Sequence, residues 1–448
     1  MRRLFILFTA ILALASCKDS EILVFDGKPE ERLTQSLTEV RTSLLSAQNG
    51  WIATLPTQAG GGFGFYMNFD ANENVKMYGD LTAASVITSA TSTYRLKTVL
   101  GTELIFDTFN YISLLTDPVP SVFGGAAATG YKSDLEFIFK RLTTDSMFFT
   151  GKKYGQPLVM VKATAAQKTS YEAGEYKTAI DKFTTTMSGI KNPYIEVGAG
   201  AQLAKIGVAM NTTTNLALGK RLDLSGLASD GKVLSGTAKY AFKLNGVDLL
   251  NNGILINGVR LVRILFKDNT TLAFYDEKGT EYIIKSSPAP LTPLSSLFGF
   301  PTTYPYKKIT IPGTGLAAGV TSEFTAVYNQ MVALFVASGR AVSSTTFTLT
   351  SNSQFSVAIA YTSGTSAFTA TANYNYTRSG DVITLDNLPV STSDNNWTTR
   401  AIQIKPLADY MLTGPFKIDW APSSNPAVPN LGGLYRTTNL GSFIYGTL

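Results

Sequence analysis

Phe63, Phe65, Met67 and Phe69 alternate with small or polar residues, and this period of two returns along most of the chain. Side chains of a strand point to opposite faces in turn, so such runs predict strands with one buried face. Asp70-Ala71-Asn72-Glu73-Asn74 interrupts the first run before Val75 and Met77 resume it, which reads as a hairpin. More strands are expected around 94–99, 103–106, 135–139, 147–149 and 158–161, then at 240–244, 259–266, 271–275 and 281–284. Phe355, Val357, Ile359 and Tyr361 alternate, as do Phe368, Ala370, Ala372, Tyr374 and Tyr376, and 381–385 follows. Short turns between alternating strands favour antiparallel pairing over a parallel α/β sheet.

Three stretches change to a period of 3.6. Leu33, Leu37, Val40 and Leu44 form one stripe of a helix over 29–49, with Pro29, Glu30 and Glu31 suited to its first turn and Gly50 to the position past its end. Tyr171, Tyr176, Ile180 and Phe183 mark a second helix over 165–187, weakened by Gly174. Phe324, Val327, Tyr328, Met331, Leu334 and Phe335 share a face of a third, with Thr321 or Ser322 as N-cap and Gly339 beyond its end. Residues 198–236, rich in Gly, Ala and Thr, read as loops with one or two strands. Pro288, Pro290, Pro293, Pro301 and Pro305 crowd into 286–305 and read as a linker. The expected fold is mainly β: two antiparallel β-sandwich or lipocalin-like meander units, each opened by an amphipathic helix. The expected organisation is a signal peptide (1–16), a lipid-anchored tether (17–28), a first domain (29–290), a Pro-rich linker (291–305) and a second domain (306–448).

Arg2 and Arg3 precede an apolar run from Leu4 to Leu14, too short for a membrane span of about 20 residues and suited to a signal peptide. The run ends in Leu14-Ala15-Ser16-Cys17, which resembles the bacterial lipobox, and Cys17 is the one cysteine of the chain. Cleavage before Cys17 and acylation of its thiol would hold the protein on a membrane through several lipid chains. Lys18, Asp19 and Glu21 then resemble the short charged tag that sends such lipoproteins to the outer face of the outer membrane.

The 448 residues contain no histidine. That excludes Ser-His-Asp and Cys-His catalysis and every imidazole-ligated metal site. With its single cysteine directed to lipid, the chain is expected to be no enzyme, and no metal or cofactor is expected. The basic residues are scattered, so no nucleic-acid partner is expected. Asp70-x-Asn72-x-Asn74 matches the start of a calcium loop, yet Val75 stands where glycine is needed and Leu81 where the bidentate Glu belongs, so a turn is expected. Gly60-Gly61-Gly62-Phe63-Gly64 fits no phosphate-binding pattern, and Ser188-x-x-Lys191 lacks the companion motifs of a serine–lysine nucleophile. Paired carboxylates need no histidine; Asp134, Glu136, Asp276, Glu277, Asp381 and Asp386 are available for glycosidase chemistry, with the turn-like contexts of Asp276, Glu277 and Asp381 pointing to surface roles. Among the aromatics, Trp397, Trp420 and Tyr435 are expected on loops, and Trp397 is the candidate ligand contact. Tyr374 and Tyr376 read as core.

The landmarks Cys17, Phe25-Asp26, Glu31-Arg32, Asn49-Gly50-Trp51, Gly61-Gly62-Phe63, Met67-Asn68-Phe69-Asp70, Phe106-Asp107-Thr108-Phe109-Asn110, Asp134-Leu135-Glu136-Phe137 and Thr150-Gly151-Lys152-Lys153 follow one another in order. In these the chain resembles an uncharacterised family of Bacteroidota surface lipoproteins, a domain of unknown function, over roughly 17–290. The resemblance implies an accessory ligand-binding subunit of a SusC/SusD-type uptake system for peptides or glycans. Its partners would be outer-membrane lipid through acylated Cys17, a SusC/SusD-like transporter and the nutrient itself. It implies no reaction. The alternatives are a carboxylate-dependent hydrolase such as a glycosidase, or a structural or adhesive surface protein.

Overall fold

The computed structural model describes residues 28–448, apart from 100, 217–218, 229–231, 302, 387–388, 393–394 and 426. Contacts divide the chain into two compact units. One comprises the chain up to Ile180 with Asn211–Arg221 and Lys239–Leu244; the other comprises Asp181–Met210, Leu222–Ala238 and Asn245–Leu448.

The first unit opens with helix α1 (Pro29–Ser46), where Glu31 takes the Lys28 backbone N–H and proline occupies the first turn. Eight strands follow: β1 (Trp51–Pro56), β2 (Gly62–Phe69), β3 (Asn74–Gly79), β4 (Ala90–Thr98), β5 (Thr102–Phe106), β6 (Glu136–Leu142), β7 (Ser146–Gly151) and β8 (Pro157–Lys162). They pair in chain order, and β1 pairs with β8 to close a barrel, Trp51 opposite Lys162 and Thr54 opposite Val159. The alternating set Phe63, Phe65, Met67 and Phe69 forms one core with Leu104, Phe137, Phe149 and Met160, and Val40 and Leu44 of α1 join it. Side chains fill a barrel of this size. Trp51 ties helix to barrel, its Nε1 donating to the Leu44 carbonyl at 3.0 Å.

The helix expected over 165–187 is two, α2 (Ala165–Glu172) and α3 (Glu175–Gly189), broken at Gly174 with φ +78°. A buried ion pair belongs to the same unit. Lys220 Nζ lies 2.6 Å from Asp80 Oδ1, and both side chains are sealed from solvent. Asp80 also accepts the Gly64 and Phe242 backbone N–H groups, at 2.8 and 2.9 Å.

Ten strands make the next sheet: β9 (Pro193–Val197), β10 (Ala204–Asn211), β11 (Arg221–Leu227), β12 (Val233–Lys243), β13 (Gly246–Leu249), β14 (Ile254–Ile256), β15 (Val259–Phe266), β16 (Leu272–Asp276), β17 (Glu281–Ile283) and β18 (Lys285–Ser286). Their order is β17-β16-β15-β13-β12-β11-β10-β9-β18, with β14 beside β15. Residues 198–236, expected mostly as loops, thus contribute three strands.

The last sheet holds β19 (Lys308–Pro312), β20 (Arg340–Leu349), β21 (Gln354–Ser363), β22 (Ser366–Ser379), β23 (Val382–Leu385), β24 (Ser391–Thr392), β25 (Phe416–Ala421), β26 (Leu431–Arg436) and β27 (Asn439–Thr447). The order is β21-β20-β19-β27-β26-β25-β23-β22-β24, and a further pairing of β21 with β22 returns the sheet on itself. Helix α4 (Phe324–Ala337) supplies Phe324, Tyr328, Met331 and Phe335 to its core, as expected from their spacing, with Gly339 at φ +72° beyond it. A second helix, α5 (Ala401–Met411), packs Ile404, Leu407, Tyr410 and Met411 into the same core; Pro406 inside it hid it from the sequence reading.

Residues 291–305, expected as a linker, are packed into the second unit. Leu294 and Phe298 are fully buried, and Arg378 donates to the carbonyls of Ser295 and Phe298. The boundaries accordingly differ from the expected 29–290 and 306–448 domains. Prolines lack the N–H that a long ladder needs, so this stretch is held by short backbone contacts, such as Gly299 N–H to the Tyr306 carbonyl at 2.9 Å, together with the Arg378 donors.

Candidate functional site

Strand β25 alternates. Phe416, Ile418 and Trp420 are buried, while Lys417 and Asp419 are half-buried. Tyr435 on the neighbouring β26 donates its hydroxyl to the Trp420 carbonyl at 2.8 Å and stacks on Phe443, ring centroids 4.2 Å apart. Trp420 Nε1 donates to the Thr292 carbonyl at 2.7 Å, which draws the proline-rich stretch alongside. The result is a groove of about 580 Å³ with Pro288, Pro290, Pro293 and Pro422, Trp420 and Tyr435 in its walls, and Asp381, Lys417 and Asp419 at its polar part. Its size and its mixture of apolar wall and few charges suit a small ligand.

The charges are arranged as a triad. Lys417 Nζ lies 2.9 Å from Asp419 Oδ2 and 3.9 Å from Asp381 Oδ2. Its hydrogen bond to Asp419 raises the Lys417 pKa, with the charges of Asp419 and Asp381 adding to it. Burial pushes the Tyr435 phenol up, and the Asp419 charge adds to this. Tyr435 is therefore a neutral hydroxyl with an apolar face. A glycosidase needs room between its two carboxyls for the sugar and, in inverting enzymes, for a water; here the lysine ammonium occupies the gap between Asp381 and Asp419.

Trp397 is a correction. It sits on the short helix Asn396–Thr399, 8% exposed, within the hydrophobic core of the second unit, so it offers little surface to a ligand. Trp420 and Tyr435, expected on loops, are strand residues that the fold brings together in the groove. Tyr374 and Tyr376 are core. Leu14, Ala15, Ser16, Cys17, Lys18, Asp19 and Glu21 lie outside the described residues.

The Asp70 carboxylate is engaged in a turn. It accepts the Asn72 and Asn74 backbone N–H groups at 2.9 Å and the Asn74 side chain at 3.0 Å, and these bonds, that of the Asn74 side chain foremost, lower its pKa. Asp276 does the same in the β16–β17 hairpin, accepting from Lys278 and Thr280. Ser188 Oγ donates to the Thr185 carbonyl and Lys191 Nζ to the Val428 carbonyl, so the two make no nucleophile pair. Gly61 lies against a neighbouring loop, where an added Cβ would stand 2.2 Å from the Gly219 carbonyl oxygen. Asp134 and Glu136 line a separate cavity of the first unit. Sequence reasoning missed Lys417 and the proline wall, because residues some 130 positions apart meet there and proline content alone reads as linker.

The architecture is mainly β, with a closed barrel in its N-terminal part. Over residues 21–267, more than half of its length, the chain matches the family described as a domain of unknown function (DUF4302), and it belongs to that family. No curated protein matches it. Among the described residues no helix is long and apolar enough to cross a membrane.

Proposed function

We propose that this protein is a non-catalytic lipoprotein of the outer membrane, anchored through acylated Cys17 and facing the cell exterior, that captures a peptide or glycan for a SusC/SusD-type transporter. The observation that carries capture is the groove, in which Tyr435 with Pro288, Pro290, Pro293 and Pro422 gives an apolar wall, Trp420 is buried behind it, and Lys417 lies between the two acids. The address rests on Leu14-Ala15-Ser16-Cys17 and the charged residues after it. The family match supports a shared domain and carries no reaction with it.

Co-purification from native outer membranes through a C-terminal tag tests the reading. A stoichiometric transporter pair is the expected companion; a protein that emerges alone overturns the uptake role. Peptide and oligosaccharide panels titrated against the purified protein then test the groove. Tyr435→Ala is expected to weaken the ligand found by about tenfold, as loss of one aromatic contact and one hydrogen bond would do. Hydrolysis of any panel member would replace capture with the glycosidase or peptidase class.

A further inference from the structure

The first unit carries a second cavity, of about 460 Å³, that the groove does not involve. Glu103 on β5 is fully buried, and its Oε2 accepts from Lys152 Nζ at 3.0 Å. The same ammonium donates to Glu136 Oε2 at 2.6 Å. Beside them Asp134, 4% exposed, accepts the backbone N–H groups of Lys153 and Tyr154 at 2.6 and 3.1 Å. Gly151 permits this, because a Cβ there would lie 2.1 Å from the Asp134 carboxylate.

Two buried side-chain atoms of this cluster have no partner: Ser133 Oγ, on a cavity-lining residue 3% exposed, and Glu103 Oε1. Buried polar groups are almost always hydrogen-bonded, so an orphan at a cavity wall points to a missing donor or acceptor. The three acids, Glu103, Glu136 and Asp134, outnumber the lysines Lys152 and Lys153, and each acid is already engaged. Lys152 is held by two carboxylates, which raise its pKa, the Glu136 hydrogen bond most, and Asp134 is held by two backbone N–H groups. A cation would find each carboxylate engaged, and an anion would meet more acids than lysines, with the Lys153 ammonium 4.9 Å from the Tyr154 ring centre. A neutral ligand that both donates and accepts would meet neither obstacle. Lys152 has three N–H donors, and two are directed at Glu103 and Glu136, leaving one. Tyr154 adds an aromatic wall to the same cavity.

We propose that this cavity binds a neutral monosaccharide unit, whose hydroxyls bond Ser133 Oγ, the remaining Lys152 N–H and Glu136, with the sugar's apolar face against Tyr154. The proposal is independent of the groove.

The test titrates the full-length protein with glucose, galactose, mannose, xylose and N-acetylglucosamine by saturation-transfer NMR and calorimetry, with glycine, acetate and inorganic phosphate as charged probes. Saturable binding of at least one sugar is expected, weakened about tenfold or more by Ser133→Ala and by Tyr154→Ala and unchanged by Tyr435→Ala. Ser133→Ala removes an unpartnered atom, so its melting temperature should equal or exceed that of the unaltered protein, which separates lost binding from lost folding. Absence of binding by all five sugars, binding of a charged probe in their place, or sugar binding that Ser133→Ala and Tyr154→Ala leave intact would each overturn the assignment.

Discussion

Lys220 and Asp80 show how one residue can hold a unit together. Burial lowers the Lys220 pKa and the Asp80 carboxylate opposes that, at 2.6 Å in a setting with no solvent access. The ammonium also lies 4.4 Å from the Phe63 ring centre. Removing one member leaves the other charge buried, at a cost of about 3–5 kcal/mol. Lys220→Met should lower stability by that amount in urea unfolding, and Asp80→Asn added to it should restore a substantial part. A single-variant loss below about 1 kcal/mol would mean that water reaches the site. Lys239 makes a pH-dependent contribution. Burial, with repulsion from Arg221 second, lowers its pKa to about 8 from 10.5. Below pH 8 both folded and unfolded chains hold the proton and the burial penalty is constant. Between 8 and 10.5 the folded chain sheds the proton first, so stability from this group rises with pH. Thermal melts should show that rise, and Lys239→Met should flatten it. None of this was legible in the sequence, where both lysines sit among Gly and Thr in a stretch without clear period.

At the scale of elements, periodicity was a reliable guide wherever one face is buried. The stripe of α4 and most of the alternation in β21 and β22 appear in the structure as read; β2 is instead buried on both faces, and Leu33 of the α1 stripe and Phe368 of β22 are exposed. Where a proline intrudes, composition misleads. Pro406 masks α5, whose Ile404, Leu407, Tyr410 and Met411 nonetheless repeat on one face. The proline cluster of 288–305 reads as a spacer, yet its apolar members Leu294 and Phe298 are fully buried. Leu294→Ala should therefore cost about 2–5 kcal/mol, as a core truncation does; differential scanning calorimetry would reveal it, and an unchanged melting temperature would return the segment to linker status. The groove was half legible. Trp420, Tyr435 and Asp381 stood out by type, but their meeting depends on strand order, which no local pattern encodes.

For the whole molecule, antiparallel β class was legible because alternation is a property of every strand at once. Closure was not, since the pairing of β1 with β8 and of β21 with β22 joins strands through registers that sequence does not print. The proposed anchor makes a prediction at this scale. Cys17→Ala should abolish incorporation of labelled fatty acid and release the protein from membranes while leaving its melting temperature unchanged. Retained acylation would refute the lipobox.

The closure of the barrel has a consequence for life at a crowded surface. Copies held by the proposed anchor would diffuse in two dimensions and collide often, and an open ladder of N–H and C=O groups would template one chain onto the next. The barrel offers no such ladder. The strands bonded on one side alone among those described, β14, β17, β18 and β24, are two or three residues long. Fibril-like growth thus has nothing to extend along the barrel, and the longer open edge lies in the last sheet, where residues 366–371 of β22 pair with β21 alone.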